Sequence, residues 1–172
     1  MNLVLSRQQI VDMVEYRWPR ICLNPDVWNI PKKLTKYNCG TWTEIKFERT
    51  NIPHFDTLDG QEGIYMFIAK PNDTPNPNHS FILYVGETGN LKTRFEKYFT
   101  YENTSHPSDQ LKRRMVIVWK DYLYFQYIKT SFGITAKREE LEYDLIDTIV
   151  PPMNDKFRSM PLKAHLKGLK HV

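Results

Sequence analysis

The chain has 172 residues, of which 41% are hydrophobic and 13% aromatic, and its formal net charge is +4. This composition supports one compact core with an extension. No apolar run approaches the roughly 20 residues that a membrane-spanning helix needs, and the apolar start is too short for a secretory signal. Cys22 and Cys39 have neither zinc-site spacing nor the density of a disulfide framework. We therefore expect a cytoplasmic protein with reduced cysteines and no membrane partner.

Residues 1–60 are predicted to form an ordered extension, partly helical and partly irregular. Ser6 and Gln9 have the spacing of a capping box, and Pro19 ends the helix that they predict. Asparagine, proline and glycine punctuate the rest of this region, but its tryptophans indicate packing rather than disorder. The residues show no catalytic set, so our hypothesis is that the extension serves substrate specificity or partner binding.

Three apolar or aromatic runs predict the strands of a small sheet. Residues 63–70 and 80–86 are β-branched and aromatic, and a turn-rich loop separates them, which predicts an antiparallel hairpin. Residues 122–128 predict a third strand. Helical spacing follows the hairpin at 90–99 and recurs at 135–149, where two prolines end the helix. The expected fold is α/β (α+β), a small, mainly antiparallel three-stranded sheet flanked by helices.

Two tyrosine-bearing tripeptides, Gly63-Ile64-Tyr65 and Tyr84-Val85-Gly86, are the most informative feature of the chain. Four polar residues follow them in chain order: Arg94, Tyr98, Glu142 and Asn154. Phosphodiester hydrolysis needs a group that takes a proton from water, a cation that faces phosphate, and an anionic oxygen that binds a hard divalent ion. Tyrosine, arginine and glutamate supply one of each.

This order of residues resembles the GIY-YIG nuclease family, named after two tripeptides that read GIY and YVG here. The resemblance covers residues 61–155, which it identifies as a nuclease domain. It implies that Tyr65 and Tyr84 prepare the attacking water and that Arg94 stabilises charge on the phosphate. It also implies that Glu142 binds one divalent ion, Mg²⁺ or Mn²⁺, with water and substrate completing the shell.

Two further residues complete the site that the resemblance implies. Tyr98 takes a position that holds histidine in some family members, and it would act as a base or as a hydrogen-bonding partner. Asn154 would fix the substrate or the geometry of the site through its amide. Each residue alone also has an ordinary explanation, as a core tyrosine, a solvated arginine, a charged helix face or a turn residue. Their joint order favours the catalytic interpretation.

Positive charge concentrates at the C-terminal end, where residues 156–172 carry five cations and no acidic residue. Such a tail suits a polyphosphate partner, because binding it releases condensed counterions, and a merely solvated tail explains the charge equally well. For Lys92 and Lys97, which lie near Arg94, surface solvation is the better explanation. The candidates for nucleic-acid binding are Lys92, Lys97, Lys156, Arg158, Lys163, Lys167 and Lys170.

We expect a metal-dependent endonuclease that hydrolyses phosphodiester bonds of DNA. A nuclease of the same chemistry that acts on RNA or on single strands is an alternative, because such a site reads phosphate and not sugar or base. Another is a nucleic-acid-binding or partner-recruiting module that does not cut.

Overall fold

The computed structural model describes residues 40–71 and 79–158. They form a four-stranded antiparallel sheet flanked by helices, in the mixed α/β class that the sequence predicts. The strands are β1 Thr43–Lys46, β2 Gly63–Ala69, β3 Phe81–Thr88 and β4 Leu123–Lys129. The α-helices are α1 Leu91–Tyr98, α2 Gln110–Val118 and α3 Thr135–Ile149, and a 3₁₀ helix spans Arg49–Leu58. Short 3₁₀ turns lie at Tyr101–Asn103, Pro107–Asp109 and Lys120–Tyr122.

The strands lie in the order β1-β4-β2-β3, and every neighbouring pair is antiparallel. The predicted hairpin is therefore confirmed, and β4 is the predicted third strand. The fourth strand, β1, was not predicted. It has only four residues, two of them exposed, and turn-forming residues surround it, so its sequence has no clear alternation.

Strand β2 is buried along its whole length because its side chains alternate between two cores. The first core contains Tyr65 and Phe67 and lies under α1, α2 and the 3₁₀ helix. The second contains Ile64, Met66 and Ile68 and lies under α3. A strand covered on both faces has a continuous apolar sequence, as this one has. Strand β2 thus presents its one catalytic candidate, Tyr65, to the first core.

The structure corrects the predicted boundary at residue 60. Strand β1 pairs with β4 from Thr43 to Lys46. Phe47, Phe55 and Leu58 are buried in the first core, where Phe55 stacks on Phe95 of α1 with ring centroids 4.0 Å apart. Residues from 43 onward therefore belong to the same folded unit as β2. The 3₁₀ helix was not predicted because its sequence lacks the 3.6-residue period of an α-helix.

The basic tail was predicted to start at residue 156, but the chain still packs on the fold beyond that residue. Phe157 is 8% exposed and packs in the second core. The chain thus stays attached to the fold through this residue. The helix predicted between Ser6 and Pro19, both cysteines and residues 159–172 lie outside the described residues. Within the described ranges, no helix is long and apolar enough to cross a membrane.

Candidate active site

A cleft of about 460 Å³ opens where the β3 edge of the sheet meets α1, α2 and α3. Five of the six predicted catalytic residues line it: Tyr65, Tyr84, Arg94, Glu142 and Asn154. The sixth, Tyr98, is fully buried beside them. We call this space the candidate cleft. The five predicted residues that line it come from two strands, two helices and the segment after α3.

The three tyrosines form one cluster at the base of the candidate cleft. Tyr65 and Tyr84 project from the same face of the hairpin, since Tyr65 lies opposite Gly86, two residues after Tyr84. Their ring centroids are 6.1 Å apart. The hydroxyl groups of Tyr65 and Tyr98 are 3.1 Å apart and form a hydrogen bond. Tyr98, which is buried beneath the cleft, therefore helps to fix the position of the Tyr65 hydroxyl.

The two tripeptide glycines permit close contacts that the sequence did not reveal. A Cβ atom at Gly86 would lie 2.4 Å from the hydroxyl end of Tyr65. A Cβ atom at Gly63 would lie 2.5 Å from the carbonyl oxygen of Ile128 on β4. Both distances are far below van der Waals contact. Glycine at position 86 thus makes room for the tyrosine of the other tripeptide.

Helix α1 positions Arg94 at the wall of the cleft. Asn90 caps the helix by accepting a hydrogen bond from the backbone N–H of Thr93 at 3.1 Å. The Arg94 guanidinium lies 5.9 Å from the centroid of the Tyr65 ring. Burial acts to lower the pKa of Arg94, but the neighbouring phenols, Tyr65 foremost, raise it overall. The guanidinium therefore keeps its positive charge inside the cleft.

The phenols of the cluster are poor bases at neutral pH. Burial raises the pKa of Tyr65 and of Tyr98 well above the ordinary value, and it also raises the pKa of Tyr84. The charge of Arg94 opposes the shift at Tyr65, and the charge of Lys112 opposes it at Tyr84. All three hydroxyls are therefore protonated at neutral pH. In this state they can orient a water molecule but cannot remove its proton.

Glu142 is the carboxyl group of the cleft that is most perturbed by its surroundings. Burial, followed by the negative charge of Glu87, raises its pKa to about 7. A backbone hydrogen bond from Glu87 and the charge of Arg94 partly oppose this rise. The carboxylate is thus held where its negative charge is unfavourable. A bound cation would offset that cost.

The donor set fits one mode of divalent-metal binding and excludes another. Among the described residues, no group of three histidine, cysteine, aspartate or glutamate side chains could hold a metal ion. A cage built from protein ligands alone is therefore absent from this part of the chain. Mg²⁺ commonly binds through one or two carboxylates, with waters and substrate phosphates completing its shell. Glu142, with Glu87 beside it, matches that arrangement.

The amide of Asn154 binds the backbone of β3. Its Oδ1 accepts a hydrogen bond from the N–H of Val85 at 2.9 Å, and its Nδ2 donates to the carbonyl of Val85 at 2.8 Å. The backbone N–H of Met153 donates to the carbonyl of Leu83 at 2.9 Å. Of the two roles implied by the sequence, fixing the geometry of the site therefore agrees with these contacts, because both ends of the amide are engaged.

An ion-pair network links α3 to the strands and was not predicted. Arg138 of α3 is 7% exposed, and it donates hydrogen bonds to Glu62, to Glu87 at 3.1 Å and to Thr135 at 3.0 Å. Glu62 precedes β2 and Glu87 lies on β3, so one guanidinium joins three elements. This network fixes the helix that carries Glu142. Nothing in the local sequence distinguishes Arg138 from a solvated helix residue.

The basic residues proposed for nucleic-acid binding differ in their surroundings. Lys156 lines the candidate cleft. Lys92 forms an ion pair with Asp56 at 2.8 Å, and Lys97 is exposed on α1. The guanidinium of Arg158 lies 4.3 Å from the centroid of the Tyr143 ring. The remaining candidates lie outside the described residues: Lys163, Lys167 and Lys170.

Comparison with known proteins gives no assignment for this chain. No protein-family model matches it, and neither a curated protein nor a solved structure shows significant similarity to it. Any functional conclusion must therefore come from the residues and the geometry of the candidate cleft.

Proposed function

We propose that this protein is a metal-dependent endonuclease of the GIY-YIG type that hydrolyses phosphodiester bonds of DNA. One observation carries the proposal: Tyr65, Tyr84, Arg94 and Glu142, distant in sequence, line a single cleft. These side chains supply the hydroxyls, the cation and the metal-binding oxygen that the reaction needs. Tyr98 and Asn154 support them through the hydrogen bonds described above.

Arg94 is proposed to stabilise the negative charge that develops on the scissile phosphate. Its guanidinium is partly buried and remains charged, because a guanidinium does not lose its proton in proteins. A fixed cation in a partly dry cleft stabilises developing charge more strongly than the same cation would in water. Its planar set of donors also matches the oxygens of a phosphate group.

Tyr65 and Tyr84 are proposed to hold the attacking water through their hydroxyl groups. The raised pKa values of both phenols favour this role over proton removal. The hydrogen bond between the Tyr65 and Tyr98 hydroxyls restricts the position of the Tyr65 hydroxyl. Correct placement of a water molecule contributes to the rate because it removes the entropic cost of orientation from the reaction step.

Glu142 is proposed to hold the divalent ion. When bound, Mg²⁺ or Mn²⁺ would lower the pKa of water and offset negative charge on the phosphate. The pKa of Glu142, about 7 in the metal-free protein, means that a proton competes for the same carboxylate near neutral pH. Metal affinity is therefore expected to rise as the pH increases from 6 to 8.

A cleavage assay tests this proposal directly. Full-length protein is incubated with matched double-stranded DNA, single-stranded DNA and RNA, with and without Mg²⁺ or Mn²⁺. We expect metal-dependent cutting, with double-stranded DNA as the preferred substrate. Arg94→Met and Glu142→Gln should each reduce the rate by at least about 100-fold, as expected when a preorganised charge is removed from a site of this kind.

Two matched variants serve as controls. Lys120→Met removes an exposed cation that pairs with Glu102, and Glu44→Gln removes a carboxylate on β1, at the opposite edge of the sheet from the cleft. Both should cut at the wild-type rate. Normal cutting by Arg94→Met and Glu142→Gln would indicate a contaminating nuclease or a different site. If the wild type bound nucleic acid without cutting it, the protein would be a non-cleaving binding module. If it cut RNA in preference to DNA, RNA would be the substrate.

A further inference from the structure

Lys112 is a second partly buried cation in the candidate cleft. It lies on the first turn of α2 and lines the same space as Arg94 and Glu142. Its side chain is 25% exposed, whereas that of Lys120, just after the same helix, is 51% exposed. A cation that gives up hydration needs a compensating anion.

The contacts of Lys112 with the protein compensate its charge only in part. Its ammonium group is 3.3 Å from a carboxylate oxygen of Asp109 and 5.3 Å from the centroid of the Tyr101 ring. Four other lysine–carboxylate pairs of the described residues are closer, at 2.6 to 3.0 Å. An ammonium group has three donors, so the long contact with Asp109 leaves Lys112 able to bind an anion.

The location of Lys112 complements that of Arg94. Arg94 lies over the ring of Tyr65, with 5.9 Å between the guanidinium and the ring centroid. Burial raises the pKa of the Tyr84 phenol, and the charge of Lys112 is the strongest opposing influence on it. Arg94 and Lys112, which lie on different helices, both oppose the shift at Tyr84, and Lys112 does so more strongly.

The charge of the cleft wall requires more than one cation for an anionic substrate. Four carboxyl groups line the candidate cleft: Glu87, Glu139, Glu142 and Asp155. The cations on the same wall are Arg94, Lys112 and Lys156, of which Lys156 is exposed. Without Lys112, the four carboxyl groups would face only two cations, and an entering phosphodiester would meet a clear excess of negative charge. Lys112 reduces this excess, and with Arg94 it is one of the two partly buried cations of the wall.

We propose that Lys112 is a second phosphate-binding residue of the site, which contacts the substrate phosphodiester together with Arg94. The proposal rests on the proposed function, and it names a residue to which the tyrosine, arginine and glutamate pattern gives no role. The ligand class is a phosphodiester anion. The contact is a charge-assisted hydrogen bond from the ammonium group to a phosphate oxygen.

The test measures binding separately from cutting. Labelled double-stranded DNA, single-stranded DNA and RNA oligonucleotides are titrated with full-length protein at several salt concentrations in a metal-chelating buffer. For the nucleic acid that binds best, Lys112→Met should raise Kd about tenfold, as expected for the loss of a hydrogen bond to a charged group. The slope of log K against log salt should fall by about one, because one phosphate contact is lost.

Three variants make the comparison decisive. Lys112→Arg should restore most of the affinity, Lys112→Gln should behave like Lys112→Met, and Lys120→Met, which removes the same charge outside the cleft, should leave the salt slope unchanged. Equal slopes for Lys112→Met and Lys120→Met would overturn the proposal, as would a wild type that binds none of the probes. A wild type that binds but does not cut after metal is added would refute the nuclease assignment, and the binding comparison would still decide the role of Lys112.

Discussion

At the scale of single residues, Gly86 shows how the site depends on a missing side chain. A Cβ atom at position 86 would lie only 2.4 Å from the hydroxyl end of Tyr65, which is too close for two atoms that are not bonded. We predict that Gly86→Ala destabilises the protein by about 1–3 kcal/mol, as overpacking does, and displaces the Tyr65 hydroxyl. Urea unfolding measures the first effect.

The control for this prediction is Gly40→Ala. Position 40 has no atom within 4 Å of an added Cβ. This variant should change the free energy of unfolding by less than about 0.5 kcal/mol. If Gly86→Ala were as stable as Gly40→Ala, the packing of Tyr65 against position 86 would not be as described.

Glu142 predicts an unusual pH dependence of stability. Its pKa is about 7 in the folded protein and 4.5 ordinarily, so ionisation is costlier in the folded state. The unfolded chain loses this proton first, and the wild type therefore loses stability as the pH rises from about 4.5 to 7. Glu142→Gln avoids that loss. In chelating buffer it should be more stable than the wild type at pH 8, with little difference at pH 5.

Urea unfolding at pH 5 and pH 8 checks this sign, with Glu44→Gln as the control. Glu44 forms an ion pair with Lys70 at the opposite edge of the sheet from the cleft, so this variant controls for the removal of a carboxylate elsewhere on the protein. If the free energies of unfolding of Glu142→Gln and the wild type differed by the same amount at both pH values, the Glu142 carboxylate would not be electrostatically disfavoured as described. Added Mg²⁺ should narrow the difference at pH 8, because it would bind the ionised wild type.

At the scale of elements, Arg138 fixes α3 to the sheet. Its side chain is 9% exposed and pairs with Glu62 and Glu87, which are 15% and 22% exposed. We predict that Arg138→Met costs about 3 kcal/mol of unfolding free energy, since it leaves two largely buried carboxylates without their cation. Lys137→Met, at the exposed neighbouring position, should cost less than about 0.5 kcal/mol. A loss for Arg138→Met no larger than that of Lys137→Met would show that the network does not stabilise the helix.

Sequence periodicity predicted most of the elements around the site. The helix expected at 135–149 is Thr135–Ile149. The two strands of the hairpin, expected at 63–70 and 80–86, are Gly63–Ala69 and Phe81–Thr88. These elements bury one or two whole faces, so their patterns are strong. Strand β1 and the 3₁₀ helix were missed because a short edge strand and a three-residue period leave weak patterns.

The candidate site was predictable only as a set of residue types in order. Chain order and the family resemblance suggested that Tyr65, Arg94 and Glu142 belong together, and the structure places them around one cleft. The contacts that hold the set could not be read from the sequence. The approach of Tyr65 to Gly86 and the ion pairs of Arg138 depend on which strands and helices become neighbours, and this is a property of the tertiary fold.

At the scale of the whole molecule, the described fold ends at Arg158, and the last 14 residues add three cations: Lys163, Lys167 and Lys170. We predict that truncation after Arg158 weakens nucleic-acid binding and lowers the salt slope by up to about 2–3, while the rate at saturating substrate is kept. Binding titrations at several salt concentrations measure the slope. A full-length variant with the three lysines changed to glutamine is the control for chain length, and it should behave like the truncation. An unchanged salt slope in both variants would show that these three lysines do not contribute to nucleic-acid binding.

The binding of Asn154 to β3 has a consequence for self-association. Strand β3 lies at one border of the sheet, where a row of backbone groups could recruit a strand from another molecule. The amide of Asn154 occupies both the N–H and the carbonyl of Val85, and Met153 covers the carbonyl of Leu83. One side chain thus imitates a partner strand for one residue pair. The asparagine that shapes the site therefore also occupies backbone groups that a strand from another molecule would need for pairing at this border.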